Sequence, residues 1–177
     1  FVADEILPVE EDRSNWDEHD NIAAHALEPL RQKAKDQGLW SVQMPKADGG
    51  QGLRFTAVAV LYEEMNRSIF GPVVFNGAAP DDGNMRLLSQ TGTDAQKARW
   101  LAPIVAGDVR SSFVMTEPHP GGGSDPGMML TTATKDGDNY VIRGHKWFIT
   151  GAEDASHFIL IARTSNDPRR GLTAFLH

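Results

Sequence analysis

The sequence has no cysteine, which excludes disulfide bonds, cysteine-ligated zinc, iron–sulfur clusters and a thiol nucleophile. Its longest apolar runs, such as residues 158–162, are far shorter than the roughly 20 residues that a membrane-spanning helix needs. Basic clusters are scarce as well: 17 Lys and Arg face 24 Asp and Glu, for a net charge of -7. Because nucleic-acid-binding proteins carry basic patches that neutralise phosphates, this balance argues against that class.

The composition is that of a folded chain. The 177 residues are 40% hydrophobic and 23% charged, which is typical of one or two globular domains. Residues 1–110 are predicted to form a helical domain, with Gly38 as a stop signal, Thr56 as a candidate N-cap and Thr93 at the start of the last helix. Apolar side chains at helical spacing predict five helices: residues 1–11, 19–37, 56–67, 84–90 and 93–106.

Residues 111–177 are predicted to form a β-domain of short antiparallel strands. The clearest signal is a hairpin, with the turn sequence Asp136-Gly137-Asp138-Asn139 between two β-branched runs. Helices followed by strands predict an α+β fold rather than a doubly wound sheet. The expected strands are separated by Gly, Asn, Asp and Pro: residues 131–135, 140–143, 146–150, 158–164 and 172–176.

The two ends of the sequence indicate a piece of a longer protein. It begins with Phe1 rather than Met, and the start lacks the basic and apolar segments of a signal peptide. The apolar strand 172–176 is followed only by His177, and an uncovered edge strand is a liability in a complete domain. A terminal edge strand is the alternative. We expect a truncated chain of a protein in the cytoplasm or mitochondrial matrix that is not secreted.

The densest unusual stretch is residues 113–125, where a strand leads into a loop with two prolines and Gly121-Gly122-Gly123. Glycine lets a backbone approach a ligand closely, and such a loop can direct several N–H groups at an anion. The Ser124 hydroxyl is a further candidate donor. A cofactor- or phosphate-binding loop and an ordinary strand connection both fit this composition. The loop is neither a Walker motif nor a Rossmann fingerprint.

A second candidate stretch is residues 144–152, centred on Trp147 and Phe148. On the predicted strand, adjacent aromatics point to opposite faces, so that one can fill the core while the other covers a flat ligand. Thr150 would then share a face with Phe148. Core aromatics followed by a turn threonine are the alternative interpretation.

These stretches resemble the acyl-CoA dehydrogenases, flavoenzymes that introduce a double bond into acyl-CoA thioesters. The Ala79-Pro80-Asp81-x-Gly83-Asn84-Met85 motif is similar to the subgroup that includes family members 10 and 11. The resemblance covers nearly the whole chain. The other shared motifs occur in the family's order: Gly92-Thr93-x-x-Gln96-Lys97-x-x-Trp100-Leu101-x-Pro103-Ile104-x-x-Gly107, Thr116-Glu117-Pro118, Ser124-Asp125, Tyr140-Val141-Ile142-x-Gly144-x-Lys146-x-Phe148-Ile149-Thr150 and Leu160-x-Ala162-Arg163.

The resemblance implies a helical domain (residues 1–110) and part of an antiparallel β-barrel-like middle domain (residues 111–177), ending before a C-terminal helical bundle. It implies FAD as cofactor, an acyl-CoA substrate, α,β-dehydrogenation with hydride transfer to flavin N5, and electron-transfer flavoprotein as a possible acceptor. A homodimer or homotetramer without nucleic acid is expected. The alternatives are a flavoenzyme of the same fold, such as an acyl-CoA oxidase or nitroalkane oxidase, and a non-catalytic acyl-CoA-binding protein.

The resemblance also implies roles for individual residues. Thr116 is expected near the pyrimidine end of the flavin, Ser124 near the cofactor phosphates and the acyl-CoA, and the Thr150 hydroxyl at flavin N5. Phe148 replaces a tryptophan often found in the family, and the stretch from residue 119 to 123 is longer than in many members. The family's catalytic carboxylate lies outside this sequence, so no catalytic residue and no metal ligand is assigned. The full set expected to bind the cofactor is Phe113, Met115, Thr116, Ser124, Phe148, Ile149 and Thr150.

Overall fold

A computed structural model describes residues 1–167 and 170–177 and divides the chain into two compact units, Phe1–Asp108 and Val109–His177. The first unit is helical and the second is built on a β-sheet. The predicted α+β order, with helices first and strands second, is confirmed.

The helices of the first unit are short and follow one another closely. Two π-helical turns extend them: Val2–Ile6 precedes α1, and Lys97–Leu101 joins α6 to α7. The α-helices within this fully described unit are α1 (Leu7–Glu11), α2 (Ala24–Asp36), α3 (Phe55–Met65), α4 (Gly71–Val74), α5 (Asp81–Thr91), α6 (Asp94–Gln96) and α7 (Ala102–Ala106).

Local sequence explains several of these bounds. Thr93 starts α6 with a capping box, because its hydroxyl accepts from the Gln96 N–H while the Gln96 side chain accepts from the Thr93 N–H. Gly38, beyond α2, has a φ of +68°, as a stop signal requires. The prediction of Thr56 as an N-cap was wrong, because α3 begins one residue earlier and Arg54 occupies the cap position. Helix α4 was not predicted, since its Gly-Pro opening has the composition of a turn.

The core of the first unit forms where the apolar stripes of these helices meet. Burying each large side chain contributes roughly 1.5–3 kcal/mol, and the cluster includes the N-terminal π-helical turn as well as α2, α3 and α4. Its buried members are Val2, Ile6, Ile22, Leu30, Ala34, Met65, Phe70, Val74 and Phe75.

The second unit contains a mixed sheet with β4 at its centre. Strand β1 pairs with β4 in parallel, β5 pairs with β4 in antiparallel fashion, and β2 meets the end of β4 where Thr132 lies opposite Arg163. Strands β2 and β3 form an antiparallel hairpin. The strands found among the described residues are β1 (Arg110–Val114), β2 (Thr132–Asp136), β3 (Asn139–Arg143), β4 (Ala155–Arg163) and β5 (Leu172–Leu176).

The predicted hairpin and the strand 172–176 are confirmed, and the strand predicted over 158–164 is β4. The sheet is mixed rather than purely antiparallel because about forty residues connect β1 to β4, and a connection of that length allows a parallel crossover. The prediction of a strand over residues 146–150 was wrong, since residues 144–151 lie outside the sheet.

Candidate functional site

The loop after β1 folds back on itself and is closed by backbone hydrogen bonds. The Glu117 N–H donates to the Gly123 carbonyl at 3.0 Å, and the Gly121 N–H donates to the Pro118 carbonyl at 2.8 Å. Gly123 has a φ of +60°, in the region that favours glycine. The glycines therefore return the chain to Glu117. Ser124, the next residue, is exposed.

The segment around Trp147 runs beside the residues that follow β1. The Trp147 N–H donates to the Thr116 carbonyl at 3.1 Å. The Lys146 ammonium donates to the Met115 carbonyl at 2.7 Å. These two bonds, rather than a sheet ladder, hold the segment, and they bring together two stretches that the sequence marked separately.

Phe148 has an unusual backbone and an exposed side chain. Its φ of +51° is left-handed, which interrupts an extended strand and explains why the predicted strand does not form. The residue is 80% exposed, and its ring centroid lies 4.5 Å from that of Trp147, so the two aromatics contact each other instead of pointing to opposite faces. A left-handed non-glycine residue costs on the order of 1–2 kcal/mol, and such outliers cluster at ligand-binding positions.

A buried ion pair between Glu117 and Lys146 connects the two segments. The Glu117 carboxylate accepts from the Leu130 N–H at 2.7 Å, the Thr131 N–H at 2.8 Å and the Lys146 ammonium at 3.1 Å. Burial raises the pKa of Glu117, but the hydrogen bonds from Thr131, Leu130 and Lys146 outweigh burial and lower this pKa to about 2. Burial lowers the pKa of Lys146, and the Glu117 charge opposes that change. Glu117 is therefore a fixed anion that anchors the loop.

Close packing around this ion pair requires two glycines. A Cβ at Gly144 would lie 2.1 Å from the buried Thr131 hydroxyl oxygen, and a Cβ at Gly121 would lie 2.5 Å from the Glu117 carboxylate. Both distances are shorter than any tolerated contact. A side chain at either position would displace the groups that hold the ion pair.

Thr150 is anchored through its backbone. The Ser112 hydroxyl, buried in β1, donates to the Thr150 carbonyl at 2.8 Å, while the Thr150 side chain is exposed. Ile149 is half-buried and lines a cavity of about 760 Å³ together with Val114 and Phe158.

Six of the seven residues expected to bind the cofactor lie on the two segments that meet here, and Ser124 lies beyond the glycine loop. The expectation that Phe148 and Thr150 share a face was argued from a strand, and that argument is lost because the backbone at Phe148 is left-handed. The Glu117–Lys146 pair was not predicted. Each residue stands inside a motif, but the two are 29 positions apart and the sequence carries no signal of their burial. The two segments form one candidate site, whose members are Phe113, Met115, Thr116, Phe148, Ile149 and Thr150.

The chemistry of these groups suits a flat aromatic cofactor. The exposed aromatic residue Phe148 can pack on such a cofactor, and the hydroxyl groups of the exposed Thr150 and the half-buried Thr116 can hydrogen-bond to its polar edge. Within residues 1–167 and 170–177, no group of three or more His, Asp or Glu side chains is arranged to hold a metal ion. In the same described part of the chain, no helix is long and apolar enough to cross a membrane.

The chain is therefore an α+β protein, in which a helical unit is followed by a mixed sheet that carries a candidate cofactor site. Two family models then identify it more closely. Residues 1–108 match the N-terminal domain of acyl-CoA dehydrogenases, and residues 112–177 match the middle domain. The chain belongs to the acyl-CoA dehydrogenase family, as its motifs predicted.

Individual relatives support this membership. The protein named Probable acyl-CoA dehydrogenase FadE2, from Mycobacterium tuberculosis, is 36% identical over 173 residues, which are 95% of this chain and 42% of that protein. Acyl-CoA dehydrogenase family member 10 from Mus musculus is 38% identical over 148 residues, which are 81% of this chain and 14% of that protein. The predicted similarity to the subgroup of members 10 and 11 is confirmed. The chain spans less than half the length of these relatives.

Solved structures share the fold. A Mycobacterium abscessus protein assigned as an acyl-CoA dehydrogenase is 34% identical with a TM-score of 0.86, over 99% of this chain and 46% of that one. A glutaryl-CoA dehydrogenase from Mycobacterium smegmatis, in complex with FADH2, is 25% identical with a TM-score of 0.64, over 84% of this chain and 36% of that one.

Proposed function

We propose that this chain carries part of the flavin site of an FAD-dependent acyl-CoA dehydrogenase, whose full-length form converts an acyl-CoA thioester into its α,β-unsaturated product. Bound FAD would supply the acceptor for the hydride that leaves the β-carbon. The observation that carries the proposal is Phe148, an exposed aromatic residue with a left-handed backbone that directly follows Trp147, whose N–H donates to the Thr116 carbonyl. The FADH2 bound by the related glutaryl-CoA dehydrogenase supports the choice of cofactor.

In this proposal residues 1–110 are the helical domain and residues 111–177 are a partial middle domain. The cofactor-binding residues all lie in the middle domain. Phe148 would pack on the flavin ring, Thr150 would donate its hydroxyl to N5, and Thr116 would lie at the pyrimidine end. Ser124 would lie near the cofactor phosphates and the acyl-CoA. The remaining proposed contacts with the cofactor are Phe113, Met115 and Ile149.

The proton acceptor of the reaction is proposed to lie outside this chain. Glu117 is unsuited to it, because its carboxylate is already engaged by three donors and its pKa of about 2 leaves little affinity for a proton near pH 7. We further propose that electrons leave to a separate acceptor such as electron-transfer flavoprotein, and that the full-length protein is a homodimer or homotetramer.

The function is tested with the full-length gene product that contains this chain. Purified protein should be yellow and should release FAD on heating. Anaerobic mixing with acyl-CoA should bleach the visible flavin absorbance, and the reduced protein should react slowly with oxygen. Rapid reoxidation by oxygen would favour an oxidase on the same fold. Protein that remains colourless after incubation with FAD would refute the flavin site itself.

A further inference from the structure

Lys146 occupies the junction between the two segments of the candidate site. Its side chain is only 8% exposed. The ammonium donates to the Met115 carbonyl at 2.7 Å and to the Glu117 carboxylate at 3.1 Å, and the next residue, Trp147, donates its N–H to the Thr116 carbonyl. Successive residues of one segment are thus tied to successive residues of the other.

The charge at this position is not explained by stability alone. Replacing a buried ion pair by apolar residues is often neutral or stabilising, so a fold does not need such a pair in order to be stable. The pair does fix the orientation of both side chains, because each one also hydrogen-bonds to backbone groups that the opposite charge could not satisfy. Lys146 meets a carbonyl at Met115, which needs a donor, and Glu117 meets the N–H groups of Leu130 and Thr131, which need an acceptor.

The conformation of Phe148 needs such support. Its left-handed backbone is unfavourable, and its exposed ring gains little from burial, so the conformation is not maintained by the residue itself. Restraints lie on both sides. Lys146 and the Trp147 N–H hold the chain before Phe148, and the bond from the Ser112 hydroxyl to the Thr150 carbonyl holds the chain after it.

We propose that Lys146, paired with Glu117, is a positioning residue that holds Phe148 exposed in its left-handed conformation for contact with the flavin. The inference rests on the proposed flavin site and adds to it a residue that touches neither cofactor nor substrate. It also implies that exchanging the two charges does not restore the site. A glutamate at position 146 has no proton to donate to the Met115 carbonyl, and a lysine at position 117 cannot accept from two N–H groups.

The test compares FAD affinity and the visible circular dichroism of bound flavin in variants of the full-length gene product. Lys146→Met should weaken FAD binding at least tenfold and alter the dichroism. Lys146→Arg keeps a cation with several donors and should stay within about threefold of wild type. Ile159→Ala, which empties a 2%-exposed position in β4, is the matched control. It should lower the melting temperature while leaving both flavin readouts unchanged.

Two results with the wild type and Lys146→Met would overturn the proposal, and they are distinguishable. If the wild type itself binds no FAD, the flavin site and the role of Lys146 fail together. If the wild type binds FAD and Lys146→Met binds it equally tightly with an unchanged spectrum, Lys146 is structural only and the proposed function stands. Should Lys146→Met not fold, Glu117→Gln replaces it, measured at a temperature at which far-ultraviolet circular dichroism shows the variant to be folded. That variant leaves the bond to Met115 but removes the counter-charge, and it should weaken FAD binding at least threefold; an unchanged affinity would overturn the proposal.

Discussion

Glu117→Gln should destabilise the sheet unit strongly at pH 7 and less at pH 3.5. The substitution keeps the shape of the side chain but replaces one carboxylate oxygen by an NH2 group. Both oxygens of Glu117 accept hydrogen bonds, and an NH2 group cannot accept one. The substitution also leaves Lys146 buried without its counter-charge, although the hydrogen bond from its ammonium to the Met115 carbonyl remains. Removing one partner of a buried ion pair costs roughly 3–5 kcal/mol. The lowering of the Glu117 pKa from 4.5 to about 2 corresponds to a stabilisation by the ionised carboxylate on the order of 3 kcal/mol.

The pH dependence has a definite sign. Because the pKa of Glu117 is lower in the folded state than in the unfolded chain, the ionised carboxylate stabilises the fold above pH 4.5, and this contribution is lost as the pH falls towards 2. Between pH 7 and pH 3.5 the wild type should lose on the order of 1 kcal/mol from this group, since the unfolded chain takes up a proton that the folded form does not. The difference between wild type and Glu117→Gln should shrink by that amount.

Urea unfolding followed by hydrogen–deuterium exchange of peptides from β1, β2 and β4 measures the stability of this unit separately from the helices. Glu153→Gln, at an exposed position of the same unit, is the control and should change stability by less than about 0.5 kcal/mol. A difference for Glu117→Gln that is below 1 kcal/mol, or that is the same at pH 7 and pH 3.5, would refute the described role of the ion pair.

Three further experiments test other parts of the account. Thr150→Val in the full-length gene product should slow flavin reduction by acyl-CoA several-fold to tens of fold in stopped-flow experiments, with FAD still bound; unchanged rates would make Thr150 structural. Gly144→Ala, whose methyl would lie 2.1 Å from a buried threonine hydroxyl, should cost about 1–3 kcal/mol, whereas Gly83→Ala on the open surface of α5 should stabilise by about 0.5–1 kcal/mol; equal thermal shifts would contradict this contrast. Arg163→Lys should increase hydrogen exchange in residues 126–129, because the Arg163 guanidinium binds the backbone carbonyls of that stretch; unchanged exchange would show that those bonds are dispensable.

Local signals account for the parts of the fold that were predictable. The β2–β3 hairpin follows from an Asp-Gly turn whose Gly137 has a φ of +59°, and the start of α6 follows from a capping box within four residues. The order of helices and strands, and the two stretches that meet at the site, were also visible in sequence. For the hairpin and the helix start, the determining contacts are between near neighbours along the chain.

Contacts between distant residues account for what was not predictable. The stretch around Phe148 has the composition of a strand, but the bonds from Lys146 to residues about 30 positions earlier give it a different backbone. The parallel pairing of β1 with β4 likewise depends on a long connection that has no periodic signature. Burial of Glu117 depends on Leu130 and Thr131, whose N–H groups point at it only in the folded chain.

The central claim is that the exposed Phe148 ring is a wall of the flavin site, and the FAD affinity of Phe148→Ser tests it most directly. The matched control is Phe55→Ser, because Phe55 is 76% exposed and Phe148 is 80% exposed, so that the two changes remove similar apolar surface at different places. Dissociation constants measured by equilibrium dialysis on the full-length gene product should rise at least tenfold for Phe148→Ser and stay within twofold of wild type for Phe55→Ser. Equal affinities in all three proteins would contradict the placement of the flavin at Phe148.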